Sequence, residues 1–224
     1  MKKMKQLFLL LISLILMMGV CGCLKKDKTT IDDVTSYLNE QYNDTFSLVS
    51  SGNELWNEEY SEIVYTSKKL NAEVVAWVYT NGRVIDNYVA VKYKSDVENL
   101  VAPIAEDVYG DSLVVNIPIH YGKNHFNKDL TFTDYTSNKQ SSISIAIATY
   151  KGTDNVQEDV EKFILKLKEN NIVASIRIFY YTKDEFETIR VTDEATSIFY
   201  PLSTKRISAT MNADYSIGSV DWSE

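Results

Sequence analysis

The pair Asn81-Gly82 constrains this chain more than any other short segment. Apolar stretches flank it, residues 73–80 on one side and 83–93 on the other. Asn-Gly is favoured in tight turns where both residues need positive φ, the geometry whose twist suits paired strands. The spacing therefore predicts a β-hairpin across residues 73–93.

Helix signals lie on both sides of it. Thr30 followed by Asp33 is a capping box, and Ile31, Val34, Leu38 and Tyr42 then fall on one helical face. Asn43-Asp44 ends that helix, and residues 46–49 and 63–65 read as short strands. Ser95 with Glu98 forms a second capping box, ahead of an apolar stripe of Val97, Leu100, Val101, Ile104 and Val108. Pro103 within the stripe predicts a kink or a restart, and Gly110 a stop. Residues 113–119 read as a strand that Pro118 pushes to a sheet edge. After a polar stretch, 120–140, Ile143, Ile145 and Ile147 alternate with small residues as a strand. Asp154 with Gln157 caps a helix to about Asn170, lined by Val156, Val160, Phe163 and Leu167. Residues 172–181 alternate again, 198–202 and 206–211 are further strand candidates, and Trp222 is expected to pack.

This order predicts an α+β fold with antiparallel-rich sheets, each covered on one face by one or two helices. Two units are expected, 31–121 and 122–224, the second a βαβ with a terminal strand pair. Residues 88–119 and 142–181 share the order strand, turn, capped helix, strand, the pattern a duplication would leave.

The N-terminus has a different logic. Lys2, Lys3 and Lys5 precede an apolar run of 14 residues from Leu7 to Val20, which leads into Val20-Cys21-Gly22-Cys23. A basic start, a short apolar core and small residues before a cysteine make an export signal. The run falls short of the about 20 apolar residues a spanning helix needs. The last four residues resemble the lipobox of bacterial lipoproteins. The resemblance implies cleavage after Gly22, a diacylglyceryl group on Cys23 and anchoring on the outer face of the cytoplasmic membrane. Cys21 does not suit that role, because Val20 would stand where Gly, Ala or Ser is expected. Residues 1–22 are then the signal peptide and 23–30 a polar tether. A composition rich in Lys, Asn, Ile, Asp and Tyr leans toward a low-GC Gram-positive surface lipoprotein.

Loss of the three leader lysines from 23 basic residues leaves 20 against 31 acidic ones, a net charge of −11. Such a chain is repelled by phosphate backbones, so no nucleic acid is expected as a partner. It is also repelled by anionic lipid heads, so the lipid on Cys23 must hold it at the membrane. The chain has only two cysteines, and the lipidated one is all that remains after cleavage. Disulfides and thiol catalysis are then excluded, and an aromatic-rich core must stabilise the domain.

No nucleophile elbow, zincin motif, phosphate loop, dinucleotide fingerprint or calcium loop occurs. His120 and His125, with Asp129 or Asp134, are the one candidate metal cluster, against a plainer reading as loop histidines. The acidic groups Asp32-Asp33, Glu58-Glu59, Glu158-Asp159-Glu161 and Asp184-Glu185-Glu187 read as solvated faces or helix starts. A glycosidase would need two carboxylates held across a cleft, which adjacency does not provide. No catalytic residue, metal ligand or cofactor is assigned.

Aromatics cluster in both halves: Trp56, Tyr60, Tyr65, Trp77, Tyr79, Tyr88 and Tyr93, then Phe179, Tyr180, Tyr181, Phe186, Phe199 and Tyr200. Neighbours on a strand point to opposite faces, so one ring of each pair Tyr180-Tyr181 and Phe199-Tyr200 leaves its local core. These four are the expected interaction patch, unless a second layer covers the far face. The reading is a noncatalytic binding module for a protein, peptide or envelope component. A carboxylate hydrolase of the envelope and a small solute receptor are the alternatives.

Overall fold

The structure, a computed structural model, describes residues 29–53, 60–118, 129–138, 143–191, 205–211 and 217–223. Its fold is α+β. Helix α1 (Ile31–Tyr42) leads into an antiparallel meander of β1 (Phe46–Asn53), β2 (Tyr60–Ser67), β3 (Ala72–Tyr79) and β4 (Val84–Asp86). Helices α2 (Tyr88–Lys92) and α3 (Lys94–Tyr109) connect it to a second sheet. That sheet contains β5 (Ser112–Ile117), β6 (Ile143–Thr149), β7 (Ala174–Tyr180), β8 (Lys205–Met211) and β9 (Ile217–Ser223), in that order. Helices α4 (Phe132–Ser137), α5 (Val156–Glu169) and α6 (Lys183–Val191) lie between its strands in the chain.

The first helix forms as its residues dictate. Thr30 Oγ1 accepts the Asp33 N–H at 3.2 Å, and the Thr30 N–H donates to Asp33 Oδ2 at 2.9 Å. Asn43 ends it in the left-handed region, and the Asn39 side chain accepts the N–H of Phe46 as β1 starts.

The hairpin exists, with a different turn. Tyr79 and Arg83 close a three-residue loop, the N–H of Gly82 donates to the Tyr79 carbonyl at 2.8 Å, and Gly82 takes positive φ while Asn81 does not. One glycine therefore supplies the whole left-handed requirement of the turn. The returning strand is also shorter than 83–93. After three residues the Asn87 side chain accepts the N–H of Val75 at 2.8 Å, and Asp86 Oδ1 accepts the N–H of Tyr88 at 3.0 Å. Short polar side chains have replaced the next ladder bonds, and residues 88–92 turn into helix.

The expected boundary at residue 121 does not follow the sheets. β5 precedes it, yet pairs with β6 in the second sheet. Residues 88–119 hold two helices and one strand, whereas β6, α5 and β7 form a parallel βαβ unit, so the two segments are not copies of one motif. The antiparallel pair β8–β9 completes the sheet, with Trp222 in β9 opposite Ile207. Residues 198–202 lie outside the described residues.

One buried cluster runs through both halves. It joins Val34 and Leu38 of α1, Ile63 and Tyr65 of β2, and Val97, Val101 and Ile104 of α3 to Ile145, Ile147, Phe163, Leu167, Ile176 and Ile178. Helix α3 stops at Gly110 (φ 71°), as expected, and runs through Pro103 without a restart. Glu98 does not cap α3; its carboxylate accepts the N–H of Asn116 on the edge strand β5 at 2.9 Å. Asp154 does not cap α5 either, since Asn155 holds that position. The polar stretch 120–140 contains α4, begun by Thr131, whose hydroxyl accepts the Asp134 N–H, and its Tyr135 packs on Tyr93 with ring centroids 5.5 Å apart.

Candidate functional site

Of the expected patch, Tyr180 and Tyr181 are not at the surface. Tyr180 is 1% exposed in the main core, and Tyr181 is 5% exposed on the other face of the sheet. Alternation separates the two rings as the strand requires. The far face is nevertheless covered: Phe186 and Ile189 of α6 pack there with Val115, Ala146, Ala148, Phe179 and Tyr181. Burial holds both phenols above their ordinary range, Tyr181 at about 12, with Asp159 adding to the rise at Tyr180 and Glu185 at Tyr181. Cys23, Phe199 and Tyr200 lie outside the described residues.

Outward aromatics gather instead on the first sheet. In β2 the core face takes Ile63, Tyr65 and Ser67, leaving Tyr60, Glu62, Val64 and Thr66 on the other side. In β3 the core takes Val74 and Ala76, leaving Val75, Trp77 and Tyr79 outside. The register sets these residues side by side: Tyr60 opposite Tyr79, Glu62 opposite Trp77, Val64 opposite Val75. The rings of Tyr60 and Tyr79 are 5.6 Å apart, and Trp77 Nε1 donates to Glu62 Oε2 at 3.1 Å. The Arg83 guanidinium carbon lies 4.3 Å from the Tyr79 ring centroid, a cation–π contact.

Exposure on this face rises from one edge to the other. Ile85 of β4, opposite Trp77, is buried. Trp77, Tyr79, Tyr60, Glu62 and Val64 are half-buried. On β1, Ser47, Ser50 and Gly52 beside Thr66, Val64 and Glu62 are exposed. Three rings, a carboxylate and a guanidinium thus share a half-buried face that grows more exposed toward β1. Such a surface offers stacking and hydrogen bonding to a partner. The sequence grouped Tyr60, Trp77 and Tyr79 without assigning them to a patch. The missed signal was the unbroken apolar run of residues 74–79: a strand apolar on both sides, in a sheet with one core, must display one of them.

Two buried carboxylates occur among the described residues, and both are engaged. Asp86 Oδ1 accepts the Tyr42 hydroxyl at 2.7 Å, and burial with the Asp86 charge drives that phenol upward. Asp159 Oδ1 accepts Lys151 Nζ at 2.6 Å, and the same ammonium caps the end of α3 through the Val108 carbonyl at 2.7 Å. Several of the other acids begin helices. Thr182 and Glu185 form a capping box on α6, and Asp33 caps α1. Hydrogen bonds from Lys166 and Lys162 hold the Asp107 carboxyl below its ordinary range and join α3 to α5. His120, His125, Glu58 and Glu59 lie outside the described residues, and Asp134 is spent on the α4 cap. Among the described residues, no three His, Cys, Asp or Glu side chains are grouped to hold a metal, and no helix is long and apolar enough to cross a membrane.

No family model matches the chain, and no curated protein matches it. Its fold is similar to the crystal structure of a DUF5037 family protein from Ruminococcus gnavus ATCC 29149, at 12% identity and a TM-score of 0.43, over 85% of this chain and 93% of that one.

Proposed function

We propose that this chain is a bacterial surface lipoprotein, anchored through Cys23 to the outer face of the cytoplasmic membrane, whose domain is a noncatalytic binding module. The leader and its Val20-Cys21-Gly22-Cys23 ending support the address. The observation that carries the binding reading is the half-buried cluster of Tyr60, Trp77 and Tyr79 on the side of the first sheet away from the main core. Aromatic residues are enriched at protein interfaces, where a large flat ring contributes contact area at little conformational cost. The partner class is a protein, a peptide or another envelope component.

The address and the contact face are tested separately. Cys23→Ala is expected to abolish lipid attachment, leaving the leader uncleaved; mass spectrometry of the N-terminus reads this directly. A leader removed after Gly22 without lipid on the wild-type Cys23 would refute the anchor. For the face, a photo-crosslinking residue is placed at Trp77 or Tyr79 on intact cells, with Leu165 of α5, an exposed apolar position, as the control. Adducts are expected from 77 and 79 and not from 165. Equal yields at all three positions would refute the binding face.

A further inference from the structure

The first sheet has a second unusual surface, at its open edge. β1 is eight residues long, contains no charged side chain in a chain of net negative charge, and borders the sheet. Edge strands are ordinarily protected by lysines, prolines or a covering element. The other sheet shows such protection, with Glu98 of α3 accepting the edge N–H of Asn116. On β1 the Asn39 side chain accepts the first N–H, at Phe46, and beyond it Leu48 and Val49 stand 49% and 50% exposed. Val49 is the extra residue where the register with β2 shifts, which turns the strand locally.

This apolar edge lies where the chain enters the domain. Leu48 pairs with Tyr65, and the Tyr65 hydroxyl donates to the Ile31 carbonyl in the first turn of α1 at 3.3 Å. Ile31 is itself exposed. Ile31 and Leu48 thus both neighbour Tyr65, with Val49 next along the strand, and this apolar corner directly follows Thr29 and Thr30. Thr29 stands six positions after Cys23, and those six steps set the reach of the tether. Fully extended they reach about 20 Å. With Cys23 anchored, Thr29, where the chain enters the domain, is held within that distance of the headgroups.

We propose that the corner formed by Ile31, Leu48 and Val49 rests on the bilayer surface and orients the domain on it. The inference rests on the lipid anchor proposed above. Charge supports a lipid surface as the occupant. The tether carries Lys25, Lys26 and Lys28 against Asp27, and β1 adds no negative charge, so this is a side from which an acidic domain approaches anionic lipid with little repulsion. Asp32 and Asp33, both exposed in the first turn of α1, are the opposing charges, and they stay in the headgroup water while the apolar side chains enter. The anchor supplies attachment; the corner supplies orientation.

The experiment uses the lipidated full chain in vesicles containing anionic phospholipid. Lipidation consumes Cys23 and cleavage removes Cys21, so Leu48→Cys or Val49→Cys introduces the sole free thiol. That thiol takes a polarity-sensitive fluorophore, with Leu165→Cys as the control. Apolar faces of surface-bound elements sit about 5–10 Å into the headgroup and acyl boundary, so nitroxide lipids are expected to quench roughly half or more of the emission at 48 and 49. The label at 165 is expected to keep its emission. If all three labels escape quenching while the protein still floats with the vesicles, the anchor stands and the docking corner is refuted. A second chain or a partner strand covering β1 would give that same result. If the protein does not float at all, the anchor is refuted and the corner falls with it.

Discussion

The two sheets solve the same problem in different ways. In the second, β6 is apolar on both sides, and both sides are covered: the main core lies under Ile145 and Ile147, and α6 closes the other side over Ala146 and Ala148. In the first, β3 is equally apolar, but none of the described helices packs over Val75, Trp77 and Tyr79, which remain half-buried. A strand apolar on both faces is thus either an interior strand or a display surface. The far faces differ in size, small side chains on β6 against Val75, Trp77 and Tyr79 on β3, and, among the described residues, in whether a later helix returns across them.

The largest effect expected from this contrast involves the whole fold. Burial raises the phenols of Tyr42, Tyr109, Tyr135 and Tyr180, which belong to the shared core of both sheets. The folded chain then holds protons that the unfolded chain releases from about pH 10 upward. Stability is therefore unaffected by these groups below that pH and falls as pH rises above it. Tyrosinate absorbance and circular dichroism should change together in one alkaline transition. Ionisation of these rings with the dichroism intact would show a core looser than described.

Next comes a matched pair of truncations on the far faces. Phe186→Ala removes a fully buried ring from beneath α6 and should cost about 3–5 kcal/mol in urea unfolding. Tyr79→Ala on the first sheet should cost only about 1 kcal/mol, as expected of a side chain that keeps solvent contact. Equal costs would mean that the first sheet's outer face is also interior, and would remove the basis for calling it a contact surface.

Asn87→Ala tests the joint between the sheets. Its Oδ1 accepts the N–H of Val75 in β3, and its Nδ2 donates to the Pro118 carbonyl just after β5 at 2.7 Å. Losing both bonds from a buried position should cost about 1–3 kcal/mol. Asn87→Asp keeps an acceptor for Val75 but buries a charge beside Asp86 and against the Pro118 carbonyl, and should cost at least as much in the same measurement. An Asn87→Ala variant with unchanged stability would show that packing alone holds the sheets together.

Much of the local structure was legible in the sequence. Thr30 and Asp33 announce α1 because a capping box is a contact between residues three apart. The same pattern at Thr182 and Glu185 went unread, and α6 with it, although the signal was present. Asn81-Gly82 announced the hairpin but not the length of its second strand. That length depends on Asn87 reaching Val75, a contact across the sheet. Of the four patch residues Tyr180, Tyr181, Phe199 and Tyr200, the alternation at Tyr180 and Tyr181 holds, but the cover that α6 lays over Tyr181 is not legible from the strand.

By itself the sequence determined the acidic charge, the two cysteines, the caps and the faces of each strand, because each depends on composition or on residues a few positions apart. Only tertiary structure decided that β5 joins the second sheet, that α6 covers Tyr181, and that Tyr60, Trp77 and Tyr79 stay at the surface. Strand pleating sends alternate side chains to opposite sides wherever the strand ends up, whereas exposure of either side depends on distant segments packing over it.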